Sequence, residues 1–375
     1  MKIIFIVDQV YMHGGIERVL SIKANYLAEQ PGYKIHIITT EQKDNASCYD
    51  FNSKISFEDL EVNYNRKKSY FHPVNLLKLP KHIGRIKSYI KSINPDVIVV
   101  CSHSTDTYFM PFICKKVPKV KEFHFSKSIE TGPRLHSKNI LKKYFFKFAD
   151  YVELKYDRLV VLNHNEAPYY KSNNTAVIPN PLTFYPETIS DISNKVVISA
   201  GRIARVKGYD LLIDIWDLVQ KKCTDWKLHI YGSGDEAYEK KLQKKINEKG
   251  LNDSLKLMGA TSEVQKKMLN SSIYVMSSHN ECFPLVLLEA QACGLPIVSY
   301  NCPHGPKSII DNNTGVLVPL YDNETFANEL IDLMNDHERL VAMGKNAREN
   351  AANYEVPKIM NKWQNMFEDL TVKRV

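Results

Sequence analysis

Short apolar runs alternate along this chain with longer stretches whose apolar residues recur every three or four positions. The runs "KIIFIV" (2–7), "YKIHIIT" (33–39), "DVIVVCS" (96–102), "KVKEFHF" (119–125) and "RLVVLN" (158–163) read as buried strands. Between them, Glu17, Val19, Leu20, Ile22, Tyr26 and Leu27 mark out a helix, and residues 141–155 another. The rhythm stops at "AVIPNPLTFYPETISDIS" (176–193), where Pro179, Pro181 and Pro186 punctuate the chain. It restarts with strands expected over 195–201, 226–232, 254–259, 272–278, 296–300 and 315–319. Helices are expected over 208–222, 235–249 and 284–293, and from about 323 to the end.

Two βα series separated by a proline-rich segment predict an α/β protein of two doubly wound parallel-sheet domains. The boundaries expected are 1–180, a linker at 181–193, and 194–353. Ligands of such sheets gather outside the carboxyl ends of the strands, so the place to look is the cleft expected between two such domains.

Composition narrows the class. The 375 residues are 44% hydrophobic and 25% charged, the profile of a soluble globular chain. No run reaches the roughly 18 apolar residues that spanning a bilayer needs, and the apolar run before Asp8 reads as a strand, not a signal peptide. The seven cysteines form no CxxC pair or zinc spacing, which points to reduced thiols in a cytosolic protein. The formal charge of +8 is uneven. Residues 1–190 hold 27 Lys and Arg against 18 Asp and Glu, or +9; the remaining 23 against 24 give −1. The basic half implies an anionic partner or surface, or else a solvated lysine face.

Three stretches carry candidate chemistry. In "VDQVYMHGGIERVL" (7–20) a strand runs into Gly14-Gly15 and a helix; glycines let backbone approach a ligand, and free helix N–H groups favour an anion. In "SAGRIARVKGYDLL" (199–212), Arg202 and Lys207 follow a strand and can grip a diphosphate, as fork and point charge, with Arg205 facing solvent. In "SSHNECFPLVLLEAQACG" the helix is expected to begin near Phe283 or Pro284. Glu281 then lies in the loop and Glu289 in the second helical turn, both able to line one crevice. The amides of Phe283, Leu285 and Val286 point out of the helix start. Cations and helix amides suit a diphosphate; the carboxylates suit sugar or ribose hydroxyls.

"GRIARVKG" followed by "ECFPLVLLEAQACGLPIVS" resembles the retaining glycosyltransferases of family 4, which have the GT-B fold. The resemblance spans most of the chain, and the glutamate pair with its Phe-Pro head is its most specific part. It implies that Arg202, Lys207, Gly14 and Gly15 meet the donor diphosphate and that Glu289 holds the ribose. Glu281 would face the donor sugar near the reacting centre, with Cys282, Phe283, Pro284 and Leu285 contributing backbone contacts. His124, in "KEFHFS", stands where the family often places a histidine near the donor sugar; His103 is a weaker candidate. Cys282 departs from the family's usual glycine and narrows the space beside the sugar. "NCPHGPKSII" (301–310) resembles members that use UDP-hexoses, hence a UDP-Gal, UDP-GalNAc or UDP-Glc donor.

No metal and no cofactor is implied beyond the nucleotide-sugar substrate. The final helix (354–375) is expected to cross back to the first domain, anchored by Trp363 and Phe367. The first domain would bind a glycan or lipid-linked glycan acceptor in polysaccharide biosynthesis. Its mixed basic and apolar segments, among them "KLPKHIGRIKSYIKS" (78–92) and "KNILKKYFFKF" (138–148), suit a peripheral position on an anionic membrane face. Rival readings are a GDP-mannose-dependent transferase, a sugar-nucleotide epimerase, an oxidoreductase and a non-enzymatic glycan- or nucleic-acid-binding protein. "HGGIER" lacks the oxidoreductase glycine fingerprint, and a binding protein does not need paired cations and glutamates at strand ends.

Overall fold

The computed structural model describes residues 1–136 and 138–372. The chain divides into two units: Met1–Pro181 with the C-terminal helix from Val356, and Leu182–Glu355.

The sheet of the first unit holds β1 (Lys2–Val7), β2 (Lys34–Thr39), β3 (Ser56–Asp59), β4 (Val97–Val100), β5 (Lys119–Glu122), β6 (Arg158–Val161) and β7 (Thr175–Val177). All are parallel, in the order β3-β2-β1-β4-β5-β6-β7. The second unit repeats the plan with β8 (Val196–Ala200), β9 (Lys227–Tyr231), β10 (Leu255–Gly259), β11 (Ile273–Met276), β12 (Ile297–Tyr300) and β13 (Gly315–Val318). Its parallel order is β10-β9-β8-β11-β12-β13. Each unit is thus doubly wound, with the chain reversing direction beside its first strand.

Both reversals fall where the sequence is most apolar. β1 and β4 are buried along nearly their whole length, as are β8 and β11, because helices cover both faces of a parallel sheet. Five helices matter for the site: α1 (Gly15–Glu29), α2 (Ile140–Glu153), α3 (Tyr209–Gln220), α4 (Leu285–Ala292) and α5 (Val356–Val372). The second unit's core gathers around Trp216 of α3 with Ile213, Ile230 and Phe326, all fully buried. In the first unit α5 lies on α1, and Trp363 and Phe367 are buried with ring centroids 5.5 Å apart.

Four local expectations need correction. β3 was not anticipated: "SFED" is mostly exposed and lacks an apolar run, and backbone pairing with β2 holds it as an edge strand. β7 lies partly within the proline-rich stretch 176–193, where no strand was expected; it too is an edge strand, paired with β6. The continuous helix expected after 323 is three, Asn323–Asn335, His337–Ala351 and Val356–Val372. Asp336 explains the first break, because its carboxylate accepts from Arg339 N at 2.9 Å and caps the new helix. Lastly, α4 begins at Leu285, so Pro284 is its N-cap and not part of its first turn.

Candidate active site

The second unit brings its expected residues to the carboxyl ends of β8 and β11. After β8 the chain makes a single tight turn over Arg205–Lys207 and enters α3 through Gly208. Gly208 has φ +64°, and a Cβ there would lie 2.1 Å from the Ser277 carbonyl oxygen. Conformation and space both demand glycine. The close approach lets two further bonds tie the loops together: Ser277 Oγ donates to Lys207 O at 3.1 Å, and His279 N to Val206 O at 2.8 Å.

This zipper aims the Lys207 side chain at the loop after β11. Its Nζ donates to Glu281 Oε1 at 2.6 Å, and both side chains are largely shielded. Arg202 is exposed and makes no hydrogen bond or ion pair among the described residues. Arg205 is also exposed and lies over the Tyr238 ring, 5.7 Å from its centroid. The loop therefore offers one anchored cation and one unengaged cation.

Glu281 is held from two sides. Its backbone bridges to His304, and Gly305 packs so tightly on it that a Cβ there would stand 2.9 Å from both Glu281 Cβ and Pro284 Cδ. The segment "NCPHGPK" thus forms the wall behind Glu281. Burial pushes the neighbouring Cys302 thiol up to about 12, and the Glu281 charge adds to this. Cys282 and Phe283 are buried, and Phe283 packs on Tyr354 with ring centroids 5.9 Å apart. Past Pro284, the first amides of α4 lack partners within the helix by construction.

Glu289 is 5% exposed, so it is not an ordinary surface helix glutamate. Its Oε1 accepts from Thr183 Oγ1 at 2.6 Å. A ribose hydroxyl at this carboxylate must share it with Thr183 or displace it.

The first unit holds the other expected residues. Gly14 caps α1 and Gly15 opens it, in the loop after β1. A Cβ at Gly14 would strike Glu17 Oε2 at 2.3 Å, so that glycine makes room for a carboxylate of its own unit. A Cβ at Gly15 would meet no atom within 4 Å, so packing does not account for that glycine. His124 lies just past the end of β5, with a side chain 7% exposed and Nε2 3.4 Å from Glu122 Oε1. His103 packs against Phe123 and Phe125, and burial, with Lys121 and His124 nearby, pushes its pKa well below the usual value.

Sequence reading missed four contributors. Ser278 Oγ and His279 Nδ1 are buried at the end of β11 without a partner among the described residues, beside the Lys207–Glu281 pair in sequence and fold. The polar run "SSHNE" directly after an apolar strand was the available signal. Thr183 had none, because 106 residues separate it from Glu289. Glu122 stood in plain view beside His124, disguised as an ordinary strand residue. Among the described residues no group of three or more His, Cys, Asp or Glu is placed to hold a metal ion.

Comparison with known proteins agrees with this geometry. The family model for glycosyltransferase family 4 matches residues 13–183, and that for glycosyl transferases group 1 matches residues 187–350. An uncharacterized glycosyltransferase of Haemophilus influenzae is 29% identical over 374 residues, covering 98% of this chain and 99% of that one. The amylovoran biosynthesis glycosyltransferase AmsD of Erwinia amylovora is 26% identical, with 98% and 99% covered. A mutant of S. aureus TarM, solved with fondaparinux, alpha-GlcNAc-glycerol and UDP, has a TM-score of 0.75 at 18% identity, covering 98% of this chain and 99% of that one. That likeness bears on the fold. The two family models meet within a few residues of the boundary between the two units, and the chain belongs to the family 4-type glycosyltransferases, enzymes of the GT-B fold.

Proposed function

We propose that this glycosyltransferase moves a hexosyl group with retention from a UDP-sugar to a glycan in surface-polysaccharide assembly, without a metal ion. The observation that carries the donor site is the Lys207–Glu281 contact, which sets a phosphate-binding cation and a sugar-facing carboxylate side by side. Arg202 and Lys207 would bind the diphosphate, together with the amides of α4; in the first unit, the role proposed for the Gly14–Gly15 turn is likewise to offer backbone to a phosphate. Their fixed positive charge stabilises the leaving nucleotide as the glycosidic bond breaks. Glu281 and the Cys282–Leu285 backbone would hold the donor sugar, Glu289 the ribose, and His124 a sugar hydroxyl. UDP in the TarM complex and the polysaccharide named for AmsD support the donor and acceptor classes.

The acceptor proposed is a lipid-linked glycan, reached from the cytoplasmic face of a membrane. No helix among the described residues is long and apolar enough to cross a bilayer. α2, however, exposes Leu141, Tyr144, Phe148 and Tyr151, a stripe at helical spacing, between the exposed cations Lys142, Lys143 and Lys147. An apolar stripe flanked by lysines is the surface that anionic lipid headgroups and upper acyl chains accept.

The donor test is a thermal-shift panel of UDP-, GDP- and ADP-sugars on the native chain and on Glu289→Ala. Stabilisation by UDP-sugars that Glu289→Ala loses is the expected result. A shift with GDP-sugars alone replaces the donor, and no shift with any nucleotide sugar overturns the site.

A further inference from the structure

β5 reads Lys119-Val120-Lys121-Glu122 and is buried at every position. Three charges on four residues are an unusual content for a central strand, and each needs a partner. Lys119 Nζ donates to the Cys114 and Val117 carbonyls, and Lys121 Nζ to those of Val100, Ser102 and Glu122. These two lysines are satisfied by backbone.

Glu122 is different, because side chains surround it. Both its oxygens lie 2.5 Å from Lys23 Nζ of α1, and each residue of that pair is 1% exposed. Cys101 Sγ lies 3.3 Å from Oε2, and His124 Nε2 lies 3.4 Å from Oε1. The Lys23 ammonium is covered in turn by the Trp363 ring of α5, 4.3 Å from its centroid. Burial pushes the Glu122 carboxyl up, but Lys23 and His124 outweigh it and hold it well below the ordinary range, so it is a carboxylate. Burial and the adjacent carboxylate raise the Cys101 thiol far above its usual value, so it remains an S–H donor. A buried ion pair of this kind gains little stability over well-packed apolar residues of the same size. Its presence beside a histidine of the candidate site calls for another role.

We propose that Glu122 is a positioning residue for His124: its carboxylate, 3.4 Å from Nε2, favours the tautomer that carries the proton there and leaves Nδ1 as the nitrogen that accepts from a substrate hydroxyl. Second groups of this kind set which ring nitrogen of a histidine is free to act. The inference rests on the reading of His124 as a donor-side group. The other titratable neighbours do not compete for Nε2. Lys121 is turned to the three carbonyls, and the His103 ring, kept neutral by burial, is centred 6.4 Å from the His124 ring. Lys23 fixes Glu122, and Trp363 closes the network from behind.

The test uses the full chain labelled with 15N-histidine and a long-range 1H–15N correlation at alkaline pH, with His124→Gln identifying the signal. The native protein is expected to show the Nε2–H pattern at His124. Glu122→Gln should shift it toward Nδ1–H and lower kcat about tenfold or more, the scale of losing an orienting carboxylate, with donor KM little changed. Glu122→Asp keeps the charge for Lys23 but withdraws the carboxylate from Nε2; it should show a partial shift, and it serves if the glutamine variant does not fold. An Nδ1–H pattern in the native protein, or the same pattern in native and folded variants, overturns the proposal. A tautomer change with kcat unaltered also overturns it as a catalytic arrangement and removes His124 from the reaction, independently of the donor site.

Discussion

Lys207 Nζ stands 2.6 Å from Glu281 Oε1, joining two loops 74 residues apart at the ends of neighbouring parallel strands. The pair neutralises each partner, and the role proposed for Lys207 is to bind a donor phosphate. Lys207→Ala is therefore expected to lower kcat/KM by about 100-fold or more, the loss typical of one electrostatic donor to a transition state, and to abolish UDP-induced thermal stabilisation. Lys207→Arg should rescue poorly, since a planar fork does not replace a point charge on the same stem. Steady-state rates with a UDP-sugar check both.

Glu289 and Thr183 share a second, part-buried contact, at 2.6 Å. Glu289→Gln keeps the shape and removes the charge. It should weaken UDP binding by about tenfold, since hydrogen bonds to a charged acceptor contribute about 1.5–3 kcal/mol against about 1 for neutral ones. Thr183→Val should leave protein stability within about 1 kcal/mol and alter UDP affinity less than Glu289→Gln does. Calorimetric titration with UDP separates the two; an unchanged affinity in Glu289→Gln removes that residue from the nucleotide site.

Gly208 carries the tight turn that delivers Lys207. With φ +64° and a carbonyl 2.1 Å from any added Cβ, Gly208→Ala should cost about 2 kcal/mol or more and displace the loop. Gly15→Ala makes the contrast. A Cβ there meets nothing, so thermal stability should hold while donor turnover falls. Equal turnover in native and Gly15→Ala protein would exclude close ligand approach at that turn.

Most of the fold was legible because parallel strands buried on both faces must be apolar throughout, as "KIIFIV" and "DVIVV" are. β3 and β7 were not, because an edge strand is held by its neighbour's backbone and needs no pattern of its own. The site divides in the same way. Arg202, Lys207 and Glu281 were readable as charged residues set beside apolar strand ends, and Glu289 as a carboxylate within an apolar helix. Thr183 and Lys23 were not, since their meaning depends on partners 106 and 99 residues away. Glu122 looked like one charge among several in "KVKE"; only the alternation of faces separates it from Lys121, which is satisfied by backbone.

His82 supplies a pH dependence. It is fully buried, its Nδ1 lies 2.9 Å from Tyr64 Oη, and burial pushes its pKa down from 6.5 to about 4. Between pH 6.5 and 4 the unfolded chain binds a proton there that the native chain does not. Stability contributed by neutral His82 is therefore complete above pH 6.5 and falls as the solution is acidified toward 4. Over that window the loss is about 3 kcal/mol, at about 1.4 kcal/mol per pH unit. Denaturant titrations of native and His82→Gln protein at pH 7 and pH 4.5 should show a smaller acid loss in the variant. An equal loss in both assigns the acid sensitivity to other groups.

The exposed stripe of α2 makes the membrane proposal measurable. Lys142, Lys143 and Lys147 project beside Leu141, Tyr144 and Phe148, and a basic residue at an anionic surface contributes about 1 kcal/mol. The native chain should sediment with vesicles containing phosphatidylglycerol and not with phosphatidylcholine alone. Binding should weaken as salt rises, because the attraction is screened within about 10 Å at 0.1 M ionic strength. Replacing the three lysines by glutamine should lower the partition coefficient by about 100-fold, the product of three such contributions at roughly fivefold each. Tyr144→Ser with Phe148→Ser should reduce binding while leaving its salt dependence in place, since those rings act through burial, not charge. Turnover of a soluble acceptor should be unaffected by either change. Sedimentation that ignores both lysines and rings assigns the stripe to something other than a bilayer.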